Sequence, residues 1–220
     1  MPFTYDYPRP AVTIDIAVFS LRNERLHLLL IERGGPPFEG SWALPGGFLE
    51  EREDLDACAR RELREETSLD APVLFPFANY SQPDRDPRGR TITAAYLALM
   101  PLDQLNPIAG SDAASLRWFN VDALPPLAFD HRLIVDDALV ALRARCEGFE
   151  IIFGLLPAEF TLTAFQAAYE AVTGKAADRR NLQKAVLGSG LIEPTGTISR
   201  GRHRPARIFR TAVDVGLAEM

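Results

Sequence analysis

The chain has 220 residues, 47% hydrophobic and 25% charged, an ordinary globular composition with room for a domain of about 150 residues and a smaller second one. Its two cysteines, Cys58 and Cys146, lie far apart with no disulfide or zinc spacing, which points to a reducing cytoplasm; no apolar run reaches the ~18 residues of a membrane span. The net charge of −6 is unevenly spread: residues 175–220 carry nine Lys and Arg against four Asp and Glu, which suggests two modules with different partners.

The first ten residues, MPFTYDYPRP, lack the basic and apolar regions of a signal peptide. Residues 11–20 (AVTIDIAVFS) and 26–32 (LHLLLIE) read as strands joined by a turn at Arg22-Asn23-Glu24. Gly34-Gly35-Pro36-Pro37 then opens a loop that carries Arg33, a candidate ligand contact. Trp42 follows; it could stack on a base, although core aromatics are commoner.

Residues 46–69 read GGFLEEREDLDACARRELREETSL. At 100° per residue from Leu55, the residues Cys58, Ala59 and Leu63 fall within about 80° and form a core stripe. Glu62 and Glu66 fall within about 20° of Leu55, and Glu65 roughly 80° to one side. A solvated acidic face is the plain alternative, and this facing weighs against it. Carboxylates converging on one side resist desolvation unless a cation answers them, and hard oxygen donors suit Mg²⁺ or Mn²⁺.

The same residues resemble the Nudix box, G-x5-E-x7-R-E-U-x-E-E-x-G-U with U aliphatic. Gly47, Glu53, Arg61, Glu62, Glu65 and Glu66 match it, and only Ser68 replaces a glycine. The resemblance implies an α/β/α sandwich that acts on a nucleoside diphosphate linked to another group, with a divalent metal. Glu62, Glu65 and Glu66 would be metal ligands, Glu53 would complete the acidic site, and Arg61 would orient it through a bidentate contact. Gly47, at the head of the box, would border the ligand. Ser68 would end the helix in the left-handed conformation that glycine adopts at no steric cost.

Residues 72–80 and 91–100 read as a strand pair around SQPDRDPRGR. Arg85, Arg88 and Arg90 in that loop are either solvated or phosphate and ribose contacts at the site's mouth. A loop and strand over 106–121 carry Asp112, a candidate general base, although a loop Asp is more often a turn former. LAFDH (127–131) precedes a helix over 132–146, with Asp130 as its N-cap and His131 either a ligand contact or a core residue. Strands alternating with helices predict an α/β sandwich over residues 1–150 and a second domain over 151–220. The apolar connection GFEIIFGLLPAEF should pack between them.

In the second domain Thr163–Gln166 reads as a capping box for a helix burying Phe165, Ala168, Tyr169 and Val172, closed by Gly174. A second helix over 178–187 turns Leu182, Ala185 and Val186 inward and Arg179, Arg180, Gln183 and Lys184 outward. LIEPTGTI and RIFRTAV form two strands around a tip holding Arg200, Arg202 and Arg204. This describes a winged helix-turn-helix. A solvated basic surface or a dimerisation module is the alternative. The net +7 over residues 175–210, placed on helix and wing, favours double-stranded DNA.

The whole chain is similar to the Nudix-related transcriptional regulators of NAD metabolism, on the DPRGR loop, LAFDH, LLP-x-x-FTL and the Arg179-Arg180-Asn181 helix. That implies a domain that binds ADP-ribose or a related NAD-derived nucleotide and so changes DNA affinity, in a homodimer matched to a two-fold operator. Because all four box glutamates and Arg61 are kept, the core also resembles ADP-ribose pyrophosphatases. The second expectation is therefore Mg²⁺-dependent hydrolysis of ADP-ribose to AMP and ribose 5-phosphate, with an accessory C-terminal domain.

Overall fold

Three long strands with apolar residues on both faces make the centre of the first domain. In the computed structural model, which describes residues 5–7, 9–101, 113–199 and 205–212, these are β1 (Ala11–Arg22), β2 (Arg25–Arg33) and β5 (Thr91–Met100). β1 and β2 are joined through Asn23 and Glu24, at φ 50 and 60, the paired positive-φ geometry that suits a two-residue hairpin turn. β1 and β5 pair in parallel over ten residues, and β4 (Val73–Tyr80) adds antiparallel to β5. The short β3 (Trp42–Ala43) and β6 (Ala113–Asn120) both pair with β2, giving a mixed six-stranded sheet.

Alternation along these strands feeds two cores. Ile14, Ile16, Val18, Tyr96 and Ala98 face Cys58, Ala59 and Leu63 of α1 (Leu55–Thr67). Ala17, Phe19, Ala95, Leu97 and Leu99 face Ile134, Val135, Ala138 and Leu142 of α2 (His131–Ala144). One helix on each face makes the expected sandwich. Leu55 departs from the reading: it is 39% exposed, and the buried stripe starts at Cys58.

The second core runs on without a break into the C-terminal part. Ile151, Ile152 and Phe153 of α3 (Glu150–Phe153), with Leu155 and Leu156, are buried, as the apolar connection predicted. Gly154 lies so close to Val73 and Leu99 that a Cβ would meet both at 2.9 Å. There follow β7 (Phe160–Thr161), α4 (Leu162–Thr173), α5 (Arg179–Gly188), β8 (Ile192–Ser199) and β9 (Ala206–Thr211). The three strands form a sheet in the order β7-β9-β8, so the winged module has one strand more than its sequence suggested. Two residues are ties: Phe149 packs edge-on to Phe165 at 5.7 Å, and Arg143 Nε donates to the Val172 carbonyl at 3.1 Å, linking α2 to α4.

Thr161, not Thr163, caps α4, its hydroxyl accepting the Ala164 N–H at 3.1 Å; Thr163 lies inside the helix. Ala185 is exposed rather than core, since Leu182 and Val186 alone meet the interior from α5. Among the described residues no helix is long and apolar enough to cross a membrane.

Ser68 closes α1 at φ 57, where a Cβ is sterically unfavourable and glycine is not. Ser68→Gly should therefore stabilise the fold by about 1 kcal/mol or less, read as a small rise in melting temperature. An unchanged melting temperature would mean the turn accommodates serine without strain.

Candidate functional site

The site forms where β1 and β2 part. β1 pairs with β2 only from Phe19 to Arg22, and the loop Pro45–Leu49 takes over the vacated edge. Ile16 donates to the Pro45 carbonyl (2.8 Å), Ile14 to Gly47 (2.9 Å), and Leu49 to Val12 (3.0 Å). Gly46 and Gly47, the glycine that opens the box, both permit close approach. A Cβ at Gly46 would strike the Ile14 carbonyl, and one at Gly47 would strike the Glu62 carboxylate. The Gly46 N–H donates to Glu66 Oε2 at 2.7 Å, so the loop and α1 are locked together.

A cavity of about 760 Å³ opens beside this loop, lined both by carboxylates of α1 and by arginines. Arg61 lines the cavity and holds Glu53, which does not, with two parallel bonds of 2.8 Å, the bidentate contact expected. Its Nη1 also reaches Glu62 (2.7 Å) and Glu65 (3.1 Å). The Arg61 hydrogen bonds hold the Glu53 pKa at about 2. Glu62 is buried, and its burial outweighs Arg61 and raises its pKa. Glu62 and Glu66 turn toward the sheet while the Glu65 side chain is 61% exposed. Among the described residues no three acidic or histidine side chains already surround a point that could take a metal ion. Arg61 supplies the positive charge at Glu53, Glu62 and Glu65 instead. The donor set itself, carboxylate oxygens from one helix beside a backbone that only glycine permits, fits a hard divalent cation.

Four of the expected ligand residues, Arg33, Arg85, Arg88 and His131, line the cavity and meet different fates. Arg33 and Arg88 line the cavity, Arg33 donating through Nε to the Pro37 carbonyl (2.7 Å) and Arg88 gripping Asp86 through Nε and Nη2. Arg85 also lines it but is buried, held by both oxygens of Asp130 (2.7 and 3.0 Å) and by Asp15 (3.1 Å). This explains why Asp130, at the N-cap position of α2, makes no side-chain cap bond: Arg85 takes its carboxylate. His131 is buried with both nitrogens engaged. Nδ1 accepts the Leu44 N–H at 2.9 Å, so the proton sits on Nε2, which faces Asp15 Oδ1 at 3.2 Å. Burial alone would raise the Asp15 pKa; His131 and then Arg85 outweigh it and hold it at about 2.

Trp42 does not line the cavity and packs edge-on to Phe119 at 4.8 Å. Asp112 lies outside the described residues. Asp15, Phe48 and Phe129 line the cavity and were missed. A signal existed for Asp15, a lone carboxylate inside the apolar strand AVTIDIAVF; Phe48 and Phe129 had none, because which rings face a cavity depends on loops.

In the C-terminal module Asp178 caps α5 by accepting the Asn181 N–H at 2.8 Å. Arg179, Arg180 and Lys184 are exposed along α5, and Gln183 is half-buried. On β9, Arg210 is paired with Glu193 at 2.7 Å while Arg207 is exposed. Arg200, Arg202 and Arg204 lie outside the described residues.

The site's carboxylates set an acid limit. Glu53 and Asp15 titrate at about 2 in the fold, against ordinary values of 4.5 and 3.8. Their stabilisation is complete above pH 4.5 and is lost as pH falls toward 2. Glu62, raised by burial, acts in the opposite sense. The melting temperature should not fall between neutral pH and 4.5, where Glu62 works in the fold's favour as pH drops. It should fall below 4.5, and Arg61→Gln should flatten the Glu53 part of that fall. An equal slope in both proteins would show that Arg61 is not what holds Glu53.

Comparison with known proteins places both halves. The NUDIX domain model matches residues 12–138, and that of the NrtR DNA-binding winged helix domain matches 152–211. The chain is 35% identical over 212 residues to the ADPR responsive transcriptional repressor NtrR of Acinetobacter baylyi, covering 94% of this chain and 84% of that protein. It is 40% identical over 131 residues to the ADP-ribose pyrophosphatase of Methanocaldococcus jannaschii, covering 60% and 74%. Shewanella oneidensis NrtR, solved with a 27mer DNA, superposes with a TM-score of 0.82 at 28% identity over 94% of this chain and 95% of that one. The NUDIX domain of the same protein, solved with ADP ribose, gives 0.58 at 31% identity over 63% of this chain and 94% of that one. The chain belongs to the NUDIX family, in the two-domain form that carries an NrtR-type DNA-binding winged helix after the NUDIX domain.

Proposed function

We propose that this protein is a transcriptional regulator that binds DNA through its winged helix and senses ADP-ribose, or a related NAD-derived nucleotide, in its NUDIX cavity. The observation that carries this reading is the exposed basic row Arg179, Arg180 and Lys184 on α5, in the same chain as a cavity lined by both carboxylates and arginines. α5 would enter the major groove, where arginine reads guanine most readily, and Arg200, Arg202 and Arg204 would hold the backbone from the wing. A homodimer would match a two-fold operator. The names of the Acinetobacter and Shewanella relatives support both the DNA and the ADP-ribose halves.

A second reading, hydrolysis of ADP-ribose to AMP and ribose 5-phosphate, is favoured by the intact set Glu53, Arg61, Glu62, Glu65 and Glu66 and by the archaeal pyrophosphatase relative. NUDIX hydrolases generally use divalent metal ions, and here Glu62, Glu65 and Glu66 would hold Mg²⁺ or Mn²⁺. When bound, such a cation stabilises negative charge on phosphoryl oxygens. Arg61 keeps Glu53 ionised, and Asp112 stands as the candidate base. The two readings are compatible if the protein slowly destroys its own effector.

Fluorescence anisotropy with duplex DNA from the protein's own promoter region tests the first reading. Affinity should fall with salt at a slope of about −0.9 per neutralised phosphate. Arg202→Ala should weaken all duplexes alike, whereas Arg179→Ala or Arg180→Ala should also blur sequence preference. ADP-ribose should shift the DNA affinity, and DNA should shift ADP-ribose affinity by the same factor. Binding indifferent to sequence and to ligand would sink the regulator.

Turnover assays with Mg²⁺ or Mn²⁺ test the second. Glu65→Gln and Glu66→Gln should each lower any hydrolysis by orders of magnitude with the melting temperature nearly unchanged. A wild type without turnover removes the hydrolase reading and leaves the sensor.

A further inference from the structure

Two arginines share one aromatic ring in the cavity wall. The guanidinium carbon of Arg33 lies 4.9 Å from the centroid of Phe129, and that of Arg88 lies 5.6 Å from the same centroid. Arg88 also lies 5.1 Å from the ring of Phe48. These distances are within cation–π range. The arrangement sets two like charges close together, and burial, then the charge of Arg88, lowers the Arg33 pKa. Such a pair needs something to hold it.

Phe129 is itself held. Phe38 meets its ring edge-on at 4.7 Å, and the His131 ring lies 5.2 Å away. Its backbone is at φ 52, a left-handed conformation that a bulky residue keeps only where its surroundings over-determine it. The donors are only partly consumed. Arg33 spends Nε on the Pro37 carbonyl, and Arg88 spends Nε and Nη2 on Asp86. Neither guanidinium makes a further side-chain hydrogen bond among the described residues.

We propose that Phe129 is a positioning residue that seats Arg33 and Arg88 side by side as the subsite for the ligand's diphosphate. The inference rests on the nucleotide reading above and goes beyond it in assigning the subsite and the residue that builds it. Two planar forks held together match two adjacent phosphoryl groups, and the bound anion cancels the repulsion between the arginines. The aromatic ring prepays the ordering of two long side chains, which would otherwise be charged against binding.

The test is calorimetric titration of the full chain with ADP-ribose. Phe129→Asn removes the ring while tolerating the left-handed backbone, and Phe129→Tyr keeps the ring. The asparagine variant should weaken ADP-ribose about tenfold, from the loss of two cation–π contacts, and the tyrosine variant should stay within about twofold. Phe129→Gly, free of backbone strain, repeats the measurement should the asparagine variant fail to fold. Combined with Arg88→Ala, removal of the ring should cost far less than it does alone, because it acts through the arginine; a merely structural role would give additive losses. Additive losses, or unchanged affinity without the ring, overturn the proposal and leave the nucleotide reading standing. A wild type that binds no ADP-ribose overturns both.

Discussion

The parting of β1 from β2 is the constraint on which the site depends. A buried strand edge cannot be left with unpaired backbone groups, so something must occupy it once β2 turns to β3 and β6. The loop Pro45–Leu49 does so through the bonds at Val12, Ile14 and Ile16. That pairing brings the loop against α1, and the approach is so close that a Cβ at Gly46 would strike the Ile14 backbone and one at Gly47 would displace the Glu62 carboxylate. The same gap becomes the cavity. The pair Gly46 and Gly47, the seating of Glu62 and Glu66, and the existence of a pocket are therefore consequences of one break in strand pairing.

Charge in this cavity is arranged by pairing before any ligand enters. Isolated buried charges are costly, and each one here has an opposite neighbour: Glu53 and Glu62 have Arg61, Asp15 and Asp130 have Arg85, and Asp86 has Arg88. Truncating one partner of such a pair leaves the other exposed to the full desolvation cost. This is why Arg85, though it borders the cavity, is better described as a strut between β1 and α2 than as a mobile contact. Arg33 and Arg88, less buried and less consumed, are the arginines with donors left for an anion.

α2 belongs to both halves of the molecule. Its N-terminal end stands in the cavity wall through His131, with the N-cap Asp130 holding the lining residue Arg85, and its last turn reaches α4 through Arg143. Between them Ile134, Val135, Ala138 and Leu142 pack into a core that also contains Phe165, Ala168 and Val172. A continuous close-packed interior responds to a local change by discrete repacking rather than by free hinge motion. Coupling between ligand and DNA needs a physical link of this kind, and no flexible linker separates the two modules.

Much of this was legible in the chain itself. Periods of two and 3.6 residues marked the strands and helices, because side-chain direction alternates with backbone geometry and needs no partner to do so. The spacing from Gly47 to Glu66 determined which carboxylates share the box, and the +7 segment marked the basic module, since charge and spacing are local properties. Tertiary structure alone decided the rest. Leu55 and Ala185 satisfied a helical stripe yet are exposed, because burial also requires a neighbouring element to cover the position. Asp130 had the right place for a cap, but Arg85, 45 residues away in sequence, claims its oxygens. Phe129 carries no local mark, and its importance arises only where the end of β2 and the loop between β4 and β5 bring Arg33 and Arg88 to one ring. Sequence spacing dictates what one element presents; which groups meet across elements is settled by packing and by the pairing that buried charge demands.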